Sequence, residues 1–316
     1  MAAAAPLQTS PFVDPGARPI DPAKFRDPLV TAKGERRARV ALGRLETLWI
    51  NTGTLCNLAC RSCYIESSPT NDALVYLSLA EVETFLAEAG ALGTREIGFT
   101  GGEPFMNRDI VAMIAAALAR GFEVLVLTNA MRPMRRFEAD LLALPRDRLT
   151  FRVSLDHYSA AAHEAERGAG TWDKALDGLR WLKANGFGVA VAGRQLPAEP
   201  AAVAAEGYRR LFAGLGIAVG GLVLFPPMDA AADVPEITEA CWQILGTRPE
   251  AMMCASSRMV VKAKGAERPH VVACTLLPYD PRFALGPSLA DASGEVSLNH
   301  PHCARFCVLG GASCSG

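Results

Sequence analysis

Cys56-Asn57-Leu58-Ala59-Cys60-Arg61-Ser62-Cys63-Tyr64 follows directly on the apolar run 46–51, with its cysteines spaced C-x3-C-x2-C. Three thiolates on one short loop can converge on a single inorganic core, and iron–sulfur clusters are held by cysteine thiolates. Only three ligands are local, which leaves a fourth iron open to an exogenous ligand. Zinc is the rival, although its structural sites are normally closed by four ligands. Three buried apolar cysteines at this spacing by chance is the remaining alternative.

Outward from this loop the sequence is rhythmic. Apolar, β-branched or aromatic runs at 46–51, 96–100, 123–128, 149–155, 188–192 and 217–225 read as strands. Helical patterns lie between them at a spacing of about 30 residues, the size of a βα unit. Ser78-Leu79-Ala80-Glu81 is a capping-box signature for a helix through Val82, Phe85, Leu86 and Ala89. Segments 107–120 and 134–144 read as the next helices, and Thr171 caps one carrying Trp172, Leu176, Leu179 and Leu182. Six strand–helix units predict an α/β fold with a parallel sheet. An open Rossmann sheet and a curved, TIM-like partial (β/α)6 barrel both fit, and either puts chemistry at the carboxyl ends of the strands.

The motifs at those strand ends choose between the two. Gly101-Gly102-Glu103-Pro104 follows the second strand, Thr128-Asn129-Ala130 the third, and Val153-Ser154-Leu155-Asp156 sits on the fourth. His163 and Arg167-Gly168 precede the next helix. In this order, together with the cysteine loop, they resemble the radical S-adenosylmethionine (SAM) superfamily over roughly residues 45–225. The resemblance implies the partial barrel, a [4Fe–4S] cluster on Cys56, Cys60 and Cys63, and SAM chelating the unique iron. It implies reductive cleavage of SAM to methionine and a 5′-deoxyadenosyl radical, which abstracts hydrogen from a substrate carbon. Within it, Gly101 and Gly102 admit backbone close to the methionine portion, Glu103 accepts from the SAM ammonium, and Pro104 fixes the turn. Ser154 and Asp156 meet ribose or substrate, with plain strand-end polar residues as the competing reading. Arg167 pairs with the SAM carboxylate, against a surface arginine. One departure stands out: the position before the third cysteine, commonly aromatic in relatives, is Ser62, and Tyr64 follows instead.

After about Pro226 the rhythm stops. Segment 236–245 reads as a helix with Cys241 in its core face, and 258–264 with 270–276 as a hairpin. Cys303, Cys307 and Cys314 close the chain, with Cys274 and Cys254 upstream. This hairpin with distal cysteines resembles the twitch or SPASM extensions of radical SAM enzymes, which implies a second iron–sulfur cluster. Its expected ligands are Cys274, Cys303, Cys307 and Cys314, with Cys254 as the alternate. Zinc using His300 or His302 is the rival. The expected divisions are an irregular arm at 1–40, the core at 41–228 and a hairpin-plus-loop extension at 229–316.

The 316 residues are 50% hydrophobic and carry a net charge of −1, which excludes disorder and gives no field for nucleic acid or an anionic membrane. The uncharged stretch 211–228 contains Gly214, Gly216, Gly220, Gly221, Pro226 and Pro227, so a helix end, a turn and a strand are expected rather than a membrane span. No secretory signal is visible, and the reading is a soluble cytoplasmic protein. The basic run 33–39 reads as solvated surface. Expected partners are a reductant such as flavodoxin or ferredoxin and a peptide or small-molecule substrate. The alternative from another class is a non-enzymatic iron–sulfur electron-transfer protein or sensor.

Overall fold

The computed structural model describes residues 9–226, 229 and 231–311. After a two-residue strand β1 (Arg39–Val40) come six strands: β2 (Thr47–Asn51), β3 (Glu96–Thr100), β4 (Glu123–Thr128), β5 (Leu149–Ser154), β6 (Gly188–Arg194) and β7 (Leu222–Phe225). These six are paired in chain order and all parallel. The helices that return the chain between them are α1 (Leu79–Ala91), α2 (Ile110–Ala119), α3 (Arg132–Arg135), α4 (Glu138–Leu142), α5 (Ala160–Arg167), α6 (Thr171–Ala184) and α7 (Ala201–Leu215).

Local sequence explains the elements. The capping box at α1 forms as expected: Ser78 Oγ accepts from the Glu81 amide at 3.4 Å, and the Ser78 amide donates to Glu81 Oε2 at 2.9 Å. Such a cap contributes about 1 kcal/mol. Val82, Phe85, Leu86 and Ala89 form the buried stripe. Along β5, Phe151 and Val153 pack into the helical layer, whereas Arg152 and Ser154 line the opposite face, the alternation a strand imposes.

Four expectations change. The helix expected over 134–144 is two short helices interrupted at Phe137, whose ring packs on Phe105 at 5.9 Å. Thr171 is the first helical residue of α6, not its cap; Gly170 holds that position and Thr171 Oγ1 donates to the Gly168 carbonyl at 2.6 Å. The helix expected from 236 is only α8 (Cys241–Leu245). Glu236 is occupied elsewhere: its carboxylate accepts from the Phe25 and Ala32 amides at 2.6 Å each and pairs with Arg37 at 2.5 Å. Arg37, expected in solvent with the rest of the basic run, is therefore 1% exposed.

The C-terminal hairpin forms as β8 (Ser257–Val261) and β9 (His270–Val272), followed by β10 (Ala284–Gly286) and β11 (Val296–Ser297). It does not stand apart from the core. β8 runs parallel to β2, with Leu48 opposite Arg258, so the sheet order is β10-β9-β8-β2-β3-β4-β5-β6-β7. β11 pairs with β1, and the lead-in is further tied to the C-terminal segment through Pro19↔Ala232 and Arg37↔Thr238. No helix among the described residues is long and apolar enough to cross a membrane.

Candidate active site

The carboxyl ends of β2 to β6 surround a cavity of about 650 Å³. Cys56, Cys60 and Cys63 line it, facing Gly101, Gly102, Thr128, Asn129, Ser154, Arg167 and Arg194. Among the described residues, no three His, Cys, Asp or Glu side chains gather closely enough to share one metal ion. Three cysteines from one loop lining one cavity are a donor set that fits an iron–sulfur cluster. Burial, reinforced by the Glu103 carboxylate, pushes the Cys56 thiol up to about 12. Burial also raises Cys60, partly offset by Arg167. Metal loading at this loop is thus coupled to proton release.

The glycine pair also has a packing role inside the protein. Gly101 adopts φ +142°, and a Cβ there would lie 2.5 Å from the Gly53 carbonyl oxygen. A Cβ on Gly102 would collide with the backbone of Leu55 and Thr54. The absent side chains let this loop seat against the cysteine loop, with the Gly102 amide donating to Gly53 at 2.8 Å and Glu103 to Leu55 at 3.2 Å. Both glycines also line the cavity, whereas Glu103 and Pro104 stand behind its wall. Glu103, 2% exposed, accepts from Thr128 Oγ1 and the Asn129 amide at 2.8 Å each. Burial raises its carboxyl to about 7, against those hydrogen bonds. Asn129 in turn reaches Asn57 of the cysteine loop at 2.9 Å.

Ser154 and Asp156 share a face, as the strand period requires, but only Ser154 lines this cavity. Asp156 forms two ion pairs: Arg167 Nε donates to its Oδ2 at 2.6 Å and Arg194 Nε to its Oδ1 at 3.1 Å. Burial alone would raise Asp156, yet the two guanidiniums outweigh it and hold the carboxyl down to about 2. Arg167 is thus not a surface residue. His163, fully buried, accepts the Asp156 amide on Nδ1 at 3.2 Å, and burial lowers its imidazole to about 4.

Sequence reasoning missed Arg194 and Glu166. Ser62, at the position commonly aromatic in relatives, donates to Glu166 Oε1 from both its amide (2.7 Å) and its hydroxyl (2.8 Å), while Arg194 Nη1 donates to the Ser62 hydroxyl. Ser10 of the lead-in donates to the other Glu166 oxygen at 2.6 Å, and the buried Phe12 ring lies 5.8 Å from the Arg194 guanidinium. The cysteine loop is therefore clamped by α5, β6 and the N-terminal segment. Extending the fifth strand beyond 192 would have put Arg194 at its carboxyl end.

A second cavity, of about 670 Å³, continues inward past Ser154, Arg167 and Arg194 to Arg152, Phe225, Thr275 and Phe306. A third, of about 390 Å³, lies under the C-terminal segment. Cys254, Cys274, Cys303 and Cys307 all line it, as does His302, and the other walls are apolar. Cys303 and Cys307 stand on the single π-helical turn Cys303–Val308. Four cysteines around a largely apolar cavity fit a cluster. His300 does not line it, and Cys314 lies outside the described residues.

Residues 50–194 match the Radical SAM superfamily. The chain is 32% identical over 149 residues to a GTP 3′,8-cyclase of Geobacter sulfurreducens, covering 46% of this chain and 44% of that protein. It is 30% identical over 141 residues to the antilisterial bacteriocin subtilosin biosynthesis protein AlbA of Bacillus subtilis, covering 43% and 30%. The chain thus spans less than half the length of these relatives. In fold it resembles Streptococcus suis SuiB bound to S-adenosylmethionine, with TM-score 0.59 and 11% identity over 77% of this chain and 63% of that one.

Proposed function

We propose, for a chain whose residues 50–194 belong to the radical SAM superfamily, that it cleaves SAM reductively to a 5′-deoxyadenosyl radical that takes a hydrogen atom from a substrate carbon. The observation that carries this reading is the cavity in which Cys56, Cys60 and Cys63 face a glycine pair and the polar ends of three further strands. Cys56, Cys60 and Cys63 would hold a [4Fe–4S] cluster, which would supply the single electron needed to break a carbon–sulfur bond of SAM. The protein's own part is positional. Gly101 and Gly102 open the wall beside the cysteines, Thr128, Asn129 and Ser154 offer hydrogen bonds, and Arg167 holds positive charge for a carboxylate. Glu103, behind the wall, supports it through Thr128 and Asn129.

The inner cavity, which opens from the cysteine-lined one past Ser154, Arg167 and Arg194, is where we place the substrate. A peptide side chain and a small metabolite both accord with the relatives' chemistries. A flavodoxin- or ferredoxin-type protein would supply the electron. Anaerobic incubation with SAM and dithionite tests the reading: 5′-deoxyadenosine and methionine are expected. Their absence from protein with a full iron complement would instead support an electron carrier or sensor.

The third cavity is assigned to a second cluster, held by Cys274, Cys303 and Cys307 with Cys254 or Cys314 as the fourth ligand. A Cys56→Ala/Cys60→Ala/Cys63→Ala variant, reconstituted anaerobically, is expected to retain about four irons with matching sulfide. Zinc without iron in that variant would overturn this assignment.

A further inference from the structure

Among the described residues, four arginines are almost wholly buried: Arg37, Arg152, Arg194 and Arg258. Arg37 pairs with Glu236 and Arg194 with Asp156. Arg152 acts electrostatically on Glu96. Arg258 differs. It is 1% exposed, and no carboxylate of the described residues pairs with it. Its guanidinium donates to four backbone carbonyls: Ala292 (2.8 Å), Cys254 (2.6 Å), Ser257 (2.8 Å) and Gly294 (3.0 Å).

Carbonyl oxygens satisfy its hydrogen bonds but bring no net charge. An isolated buried cation is strongly unfavourable unless an anion lies close by. The acidic groups that act on Arg258 are Cys254 and Cys274, two of the four cysteines around the C-terminal cavity. Arg258 does not itself line that cavity; its bond to the Cys254 carbonyl fixes it against the backbone of the wall. Bound to metal, Cys254 and Cys274 are thiolate anions.

We propose that Arg258 is the fixed positive counter-charge of a C-terminal cluster held by Cys254, Cys274, Cys303 and Cys307, and that it raises the reduction potential of that cluster. The inference rests on the second-cluster assignment above. Net charge and nearby hydrogen-bonded groups are among the levers that set iron–sulfur potentials. Adding an electron increases the negative charge on four thiolates and their iron, so a fixed cation favours the reduced state. Cys254 is taken as the fourth ligand because it lines the same cavity as Cys274, Cys303 and Cys307.

The test uses the Cys56→Ala/Cys60→Ala/Cys63→Ala background, in which only the C-terminal site can hold iron. Iron and sulfide per chain are counted, and the midpoint potential is read by an electron paramagnetic resonance redox titration. With Arg258→Gln, the reduced-to-oxidised ratio at fixed applied potential should fall about tenfold, a downward shift of ~59 mV for one electron. Arg258→Lys, which keeps the charge, should retain most of the original potential. Cys254→Ser should lose iron, whereas Cys314→Ser should not. If Arg258→Gln fails to fold by circular dichroism, Arg258→Met against Arg258→Lys makes the same comparison.

A neutral variant with full iron and an unchanged midpoint overturns the counter-charge role and leaves the second cluster standing. A Lys variant shifted as far as the Gln variant does the same. Iron lost with Cys314→Ser but kept with Cys254→Ser overturns the ligand assignment. No iron at all in the background variant overturns the cluster on which the inference rests.

Discussion

Alanine at any one of Cys56, Cys60 or Cys63 is expected to abolish formation of 5′-deoxyadenosine. All three sulfurs line one end of a single cavity, and among the described residues no other cysteine or histidine lines it. Removing one leaves two local donors for a centre that needs three, so the full catalytic acceleration, of order 10⁶ or more, is lost rather than a fraction of it. Folding should survive. Cys60 and Cys63 are only half-buried, and the Cys56 sulfur accepts one weak hydrogen bond, from the Leu58 amide at 3.4 Å. Stability should move by about 1 kcal/mol or less, as for substitutions outside a packed network. The measurement pairs nucleoside product by chromatography with a far-ultraviolet melting curve. Wild-type yield from any single variant would contradict the assignment.

Asp156→Asn is expected to produce the largest loss of stability of any substitution at the site. It leaves Arg167 and Arg194 buried with one carboxylate nearby, Glu166 at 3.9 Å from Arg194. Breaking a buried pair by removing one partner costs about 3–5 kcal/mol. Asp156 also predicts a direction for acid denaturation. Its carboxyl sits near 2 in the folded chain against 3.8 ordinarily. The stability it contributes is therefore present above the ordinary value and is lost as pH falls from about 4 towards 2. Urea midpoints for the variant at neutral pH, and for wild type across that window, check both statements. A variant within 1 kcal/mol of wild type at neutral pH, or a wild-type acid limb unchanged by the substitution, would contradict them.

The parts of the site legible in the sequence are those encoded by short spacing. C-x3-C-x2-C constrains three side chains to one loop whatever else the chain does, and Ser78 to Glu81 is a single helical turn. The order of the strand ends follows from parallel pairing, which brings residues 56, 101, 128 and 154 to the same rim. What was not legible depends on contacts between distant residues. Ser62 meets Glu166 and Arg194, 104 and 132 positions away, and no local pattern announces either. The helix expected from 236 failed for the same reason, since Glu236 answers to Arg37 and to two amides of the lead-in rather than to its own neighbours. The glycine pair was recognised, but its close approach to the backbone of Gly53 to Leu55 was not. Arg258 lies within a recognised strand, but its lack of a carboxylate partner is visible only in three dimensions.

The placement of β8 beside β2 has a consequence for biogenesis. Strand β2, which delivers the chain to Cys56, keeps one bare edge until residues 257–261 have left the ribosome, some two hundred residues later. An unpaired edge of this kind invites association with other nascent chains. The first cysteine loop is thus mounted on a half-finished support until translation has passed that last strand.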